Sequence, residues 1–298
     1  MKVDYKLLSA LNAVMAYQSF ERAAQAQCLT QSAISQRIKL LEEQLGHSVL
    51  IRSKPLKLTS LGAKLLVHYR QVEQLQADLF PEFVGNSAVE PLKLAIAVNA
   101  DSLAVWFLDA IKRFTKTSTA VELDILVADE SHTINKLKSG EALGAVCLQA
   151  EPINGYRAQK LGNMDYVLVA SAEFCQRYFE HGINRDSLIQ APGVSFDPSD
   201  SMHHQFIQQH FGLMYGDYPC HFVRSSEAFV EMAKQGIGYC LIPELQITEL
   251  LKDGKLINLL PETRLSEELY WHSWILSKGI YRQLSDTIVA HGQQILGG

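Results

Sequence analysis

"TQSAISQRIKLLEEQLG", Thr30 to Gly46, is the stretch whose reading decides the rest of the chain. Ile34, Ile38, Leu41 and Leu45 recur at the spacing of one face of an α-helix, which predicts an amphipathic helix with that stripe buried. Thr30 stands where an N-cap belongs, and Gly46 suits the C-terminal stop. At 100° per residue the opposite side gathers Ser32, Ser35, Gln36 and Lys39, with Gln31 at its N-terminal edge. That side is short, polar and nearly uncharged until Lys39. A face merely bathed in solvent more often carries Glu and Lys, as Glu42 and Glu43 do one turn on. Gln pairs bidentately with adenine and Ser meets either kind of base edge, so this surface has the chemistry of major-groove reading. Arg37 lies toward the flank, where a phosphate is the natural partner.

The neighbouring elements fit that reading. Asp4 to Gln18 predicts a first helix, with Leu7, Leu8, Leu11, Val14 and Met15 on its apolar side, and a short second helix runs from about Phe20 to Gln27. Three helices with a tight connection between the second and third suit a helix-turn-helix, although such bundles also serve as protein interaction modules. "SVLIRSKPLKLT" then reads as a small β-wing around the basic turn Ser53-Lys54-Pro55, with Arg52 and Lys54 at its tip placed for backbone or minor groove. From Thr59 a long helix is expected to about Phe83. Its stripe of Leu61, Leu65, Leu66, Tyr69, Val72, Leu75 and Leu79 favours a dimer seam over packing on its own domain.

Charge divides the chain in the same place. Net charge is −5, yet residues 1 to 70 hold ten Lys/Arg against four Asp/Glu, so that segment is +6 and the remainder −11. A basic head on an acidic body suits one part that meets a polyanion and a rest that does not. No segment approaches the roughly 18 uninterrupted apolar residues of a membrane span, and the N-terminus lacks a signal peptide's apolar core, so a cytoplasmic protein without membrane contact is expected. The five cysteines, Cys28, Cys147, Cys175, Cys220 and Cys240, contain no C-x-x-C pair and read as reduced thiols. His203, His204 and His210 cluster, but no further ligand at suitable spacing accompanies them, so neither a metal nor any other cofactor is expected.

After the linker "GNSAVE", residues 85 to 90, the texture changes to strands alternating with helices of about ten residues, which predicts βαβ units around largely parallel sheets. About 205 residues of this form one large domain or two lobes, and periodicity does not choose. G-x-S-x-G, P-loop and H-E-x-x-H motifs are all missing, so an enzyme is not expected.

Ser19 to Leu66, "SFERAAQAQCLTQSAISQRIKLLEEQLGHSVLIRSKPLKLTSLGAKLL", closely resembles the winged helix-turn-helix of the LysR-type transcriptional regulators. The shared pattern is an S-F-x-x-A-A start, a Q-S-A-x-S core in the reading helix, L-E-x-x-L-G at its end, then R and L-T-x-x-G. Val49-Leu50-Ile51 departs from the more usual L-F at the wing's start but remains apolar. The resemblance extends over the whole chain and implies an α/β architecture. Residues 1–58 would be the winged helix-turn-helix, 59–84 a linker and dimerisation helix, 85–90 a hinge, and 91–298 a two-lobed effector domain similar to periplasmic binding proteins. "LAIAVNADSLAVWFLDA", "SSEAFVEMAKQG" and "ELYWHSW" resemble the chromosome-initiation-inhibitor-like branch that answers to lysine and arginine. That kinship implies double-stranded DNA, a second copy of the chain (a dimer or a tetramer) and RNA polymerase as partners, and transcriptional activation among its actions. A sequence-tolerant architectural binder that coats or blocks A·T-rich DNA is the competing binding mode.

In such a fold ligands lie where strand ends and helix N-termini converge. Asn99, Asp101 and Ser102 end one strand and open a helix, where they would either hold an amino acid's carboxylate or simply cap the helix. A cationic effector also wants carboxylates. Asp129 follows the second strand, Asp197 follows "VSF" and Glu227 opens the helix after "VRSS"; each is a cap or solvated charge on its own, and Asp129 and Asp197 are the two expected in the cleft. Gln149, Phe196 and His203 are further candidates for its wall.

Overall fold

The computed structural model describes residues 3–79, 92–118, 121–128 and 133–298. The expected hinge at 85–90 and Asp129 lie outside the described residues. The head consists of α1 (Tyr5–Tyr17), α2 (Phe20–Ala26), α3 (Gln31–Leu45), the two-residue strands β1 (Leu50–Ile51) and β2 (Lys57–Leu58), and the long helix α4 (Ser60–Leu79). Each start is capped as the local sequence dictates: Asp4, Ser19 and Thr30 accept from backbone amides of α1, α2 and α3. Gln18 and Gly46 end α1 and α3 in the left-handed region. Leu8, Leu11, Val14, Ile34, Ile38 and Leu41 are fully buried in one cluster, so the stripe read from the sequence is the face that holds α3 in its bundle.

The wing is fastened to both flanking helices. β1 and β2 pair antiparallel, with Leu50 opposite Leu58. The Glu42 carboxylate, near the end of α3, accepts from the Val49 and Leu50 amides at 2.9 and 3.5 Å. Thr59 donates its hydroxyl to the Ser48 carbonyl at 2.8 Å and accepts from the Gly62 amide at 3.1 Å, while a Cβ on Gly62 would stand 2.1 Å from the Val49 carbonyl oxygen. The L-T-x-x-G pattern is therefore a close approach of helix to wing. Gly62→Ala is expected to destabilise the head by about 1 to 3 kcal/mol through overpacking against backbone. Denaturant unfolding followed in the head is the check, and an unchanged midpoint would contradict it.

Part of the apolar side of α4, the stripe expected to form a dimer seam, packs within this chain. Tyr69 belongs to the head core, Leu65 packs against that core, and Leu75 packs against a cluster in the next domain. Arg70 donates to Asn12 of α1 at 3.1 Å and to the Gly140 carbonyl. The helix thus lies between two bodies, and each takes part of its stripe.

The second body carries β3 (Leu92–Asn99), β4 (Val121–Ala128), β5 (Gly144–Cys147), β6 (Tyr156–Ala170), β7 (Gly193–Ser195), β8 (Cys220–Phe222), β9 (Tyr239–Pro243), β10 (Ile257–Asn258) and β11 (Leu265–Trp274). Sheet order is β4-β3-β5-β11-β6-β9-β7-β8, with β10 also on β6. The outer strands are parallel, as alternating strands and helices predict: β3 with β4 and β5, and β7 with β8 and β9. The centre differs, because β6 and β11 run antiparallel to each other over most of their length and join two lobes. Gly162 on β6, at φ 132°, lies where a Cβ would stand 2.3 Å from the Leu296 carbonyl oxygen, so the crossing strand passes the end of the C-terminal helix Gly279–Leu296 at backbone contact. One apolar cluster runs through both lobes, and two smaller ones lie on the first lobe's and the second lobe's other faces.

Candidate nucleic-acid interface and ligand cleft

On α3 the Thr30 hydroxyl accepts from the Ala33 amide at 3.2 Å and lies 2.9 Å from the Ser32 hydroxyl. Gln31, Ser32, Gln36 and Lys39 are exposed, Ser35 is half-buried, and Arg52 and Lys54 are exposed on the wing. The structure thus brings these residues to the outward side of one helix and the adjacent hairpin. Lys39 also pairs with Glu43 at 3.6 Å, a contact between two well-exposed groups that restrains the lysine little. Arg37 is half-buried and donates to Gln27 at 3.3 Å, and Gln27 in turn donates to the Ser9 carbonyl and hydroxyl at 2.9 Å each. Its guanidinium ties α3 to α1 through α2, a role that flank position alone did not suggest. Glu42 was read with Glu43 as a solvated acid; half-buried, it anchors the wing instead.

Between the lobes lies a narrow cleft, open at its mouth, whose enclosed space is only about 30 Å³. Ala100, Asp101 and Ala128 line it from the first lobe, Tyr166 from the crossing strand β6, and Phe196, Asp200, Met202, His203, Ser226 and Phe229 from the second. The floor follows from topology: β3 ends at Asn99 and the chain turns directly into a helix that continues as a π-helical turn at Leu103–Phe107. Asn99 holds the cap position without a side-chain cap bond. Asn99 and Ser102 are buried beside the lining, and the Ser102 hydroxyl has no hydrogen-bond partner among the described residues.

Asp101, Phe196 and His203 therefore reach the lining as the sequence suggested, while three other candidates lie elsewhere. Asp197 accepts from the Ser199 amide and hydroxyl at 2.8 and 2.5 Å and pairs with Arg224 at 3.1 Å. Those Ser199 hydrogen bonds, with Arg224 beside them, hold its carboxyl below the usual range. Glu227 is exposed and accepts from the Ser225 hydroxyl at 2.9 Å, inside a helix cap. Gln149 donates to the Glu151 carbonyl, and its own backbone carbonyl meets the His272 ring at 2.7 Å. The acid that reaches the cleft from the second lobe is Asp200, three residues past Asp197. Asp200 caps the helix Ser201–Phe211 through the His203 amide at 3.1 Å and accepts from the Ser195 hydroxyl and Phe196 amide at 2.7 and 3.0 Å. Those three donors fix a carboxylate at the wall.

His203 is nearly fully buried, its ring stacked on Tyr239 with centroids 5.9 Å apart, and its Nε2 has no hydrogen-bond partner among the described residues. Burial pulls its pKa from 6.5 down to about 4. Between those values the unfolded chain takes up a proton that the folded chain refuses, so stability falls as pH drops through that window. His203→Gln is expected to flatten the acid side of the effector domain's stability profile, with roughly 2 kcal/mol less stability lost between pH 6.5 and 4.5. Thermal unfolding across that range tests it, and parallel profiles would refute the assignment.

A basic helix-turn-helix head joined through one long helix to a two-lobed domain with a cleft between its lobes is the architecture of a DNA-binding protein. Residues 5–63 match the bacterial regulatory helix-turn-helix protein, lysR family, and residues 89–274 match the LysR substrate binding domain; the chain belongs to the LysR family of DNA-binding transcriptional regulators. Among its relatives, the HTH-type transcriptional regulator ArgP of Aeromonas salmonicida is 50% identical over 99% of this chain and 98% of its own. ArgP of Photobacterium profundum is 47% identical, with the same coverage. Among solved structures, ArgP from Mycobacterium tuberculosis is similar at a TM-score of 0.83 and 33% identity, covering 98% of both chains. Full-length LysG of Corynebacterium glutamicum with bound effector Arg is similar at 0.77 and 30%, covering 98% of this chain and 99% of that one. The family and the relatives' names are those of a regulator and not of an enzyme. No helix among the described residues is long and apolar enough to cross a membrane.

Proposed function

We propose that this regulator responds to arginine or lysine held between its lobes, and that it controls genes of basic amino-acid transport or metabolism. The observation that carries the reading is the pair of carboxylates lining one cleft from opposite lobes, Asp101 and Asp200, beside the aromatic rings of Tyr166 and Phe196. A guanidinium or ammonium group between two such acids gains charge-assisted hydrogen bonds, and a ring face adds cation–π attraction. Asn99 and Ser102 flank Asp101 on the same turn and add buried polar groups beside that first-lobe acid. The Arg effector of the LysG neighbour supports the same class of ligand.

On the DNA side, Gln31, Ser32, Ser35, Gln36 and Lys39 read base edges while Arg52 and Lys54 meet the backbone or the minor groove. The chain acts as a homodimer or tetramer, and RNA polymerase is its further partner. An effector shifts such an assembly only through different affinities for its two arrangements. The test is to select an operator from random duplex DNA with the full chain, then measure operator affinity with and without each amino acid at fixed salt. Arginine or lysine, and not the neutral amino acids, should change operator affinity or footprint. Identical binding under all conditions would contradict the effector reading.

A further inference from the structure

The outward side of α3 carries one residue that hydrogen bonding does not explain. Leu40 is 46% exposed and stands outside the head's apolar core, whereas its neighbour Leu41 is fully buried in it. It follows Gln36 by four residues, which puts it about 40° round the helix axis from that side chain and about 6 Å further along. Lys39, on the opposite flank of the same face, leans back to Glu43. Leu40 and Gln36 therefore stand next to each other on the surface that the exposed Ser32 and Gln36 define.

We infer that Leu40 extends this face as a specificity-determining residue and packs on the 5-methyl group of a thymine in the major groove. The inference rests on α3 being the base-reading helix. The major groove offers hydrogen-bonding atoms at every base edge and one apolar group, the thymine methyl. A leucine has neither donor nor acceptor, so against adenine, guanine or cytosine it strips water from polar atoms without replacing it. Against thymine it covers the methyl instead. A rise of about 6 Å between Gln36 and Leu40 corresponds to about two base-pair steps of 3.4 Å, so the thymine lies about that far from the base that Gln36 reads.

The test uses the full chain and an operator selected from random duplex DNA. Each thymine of that operator is replaced in turn by deoxyuridine, which removes the methyl and keeps the base pair. One position in each half-site should lower wild-type affinity about fourfold, the equivalent of one lost buried methyl group. Leu40→Ala should bind the unmodified operator about fourfold or more weakly and show no further loss at that position. The inference is overturned if no uracil substitution weakens the wild type, or if Leu40→Ala keeps the wild-type sensitivity. A selection that yields no preferred sequence would instead remove the base-reading role of α3 itself, which separates the two failures.

Discussion

Gln36→Ala is expected to weaken binding to the selected operator by about 1 to 3 kcal/mol while leaving affinity for scrambled DNA nearly unchanged. Gln36 is exposed on a helix that Ile34, Ile38 and Leu41 fix from behind, so its loss disturbs neither the core nor the caps. Lys54→Ala should behave differently, weakening both DNAs and lowering the salt slope by about one, because a phosphate contact releases counterions whatever the sequence. Comparing the two variants on both duplexes across a salt series separates base reading from charge. Equal losses for both on both DNAs would contradict the division.

Asp101→Asn and Asp200→Asn are each expected to weaken arginine or lysine binding by about 2 kcal/mol or more, since each removes one charged partner of a partly desolvated pair. Asparagine is the informative replacement at Asp200. Its amide oxygen can keep the cap to the His203 amide, but its NH2 then faces the Phe196 N–H, so unfolding is measured alongside binding. Unfolding curves close to the wild type would place any lost affinity in the cleft, not in the fold. Asp197→Asn serves as the contrast, because its carboxylate lies off the cleft lining and already pairs with Arg224. An Asp197 variant that loses binding while the other two keep it would overturn the choice of acids.

The head was legible in the sequence because its signals are local. The period of Ile34, Ile38, Leu41 and Leu45, the cap at Thr30 and the stop at Gly46 each act within one or two turns, and the structure shows the same helix. The crossing strands were not. β6 begins in the polar run Arg157 to Lys160 and bends at Gly162, and the register of β11 shifts between Leu269 and Tyr270, so neither keeps a clean alternation. The apolar end of β6, Tyr166–Ala170, carries Tyr166 into the cleft. The stripe on α4 was legible as apolar, but what covers it depends on how two bodies dock, which periodicity does not encode.

The cleft divided in the same way. Asp101 and His203 carried a signal, since one follows a strand end and the other begins a helix. "FDPSDS" offers two acids at such a strand end, and proximity to the strand favoured Asp197. Which of the two reaches the lining depends on the return of Ser199 and Arg224 onto the first and of Ser195, Phe196 and His203 onto the second. Ser226, Phe229 and Met202 sit on helices where their own spacing reads only as structure.

The central claim is that the cleft selects an effector by the positive charge on its side chain. The most direct measurement is calorimetric titration of the full chain with arginine and with citrulline, which matches arginine in length and shape but is uncharged, alongside lysine and norleucine. The account predicts saturable binding of arginine or lysine and at least about tenfold weaker binding of its neutral counterpart, a difference of about 1.4 kcal/mol or more. Equal affinity for arginine and citrulline, or binding of neither basic amino acid, would contradict it.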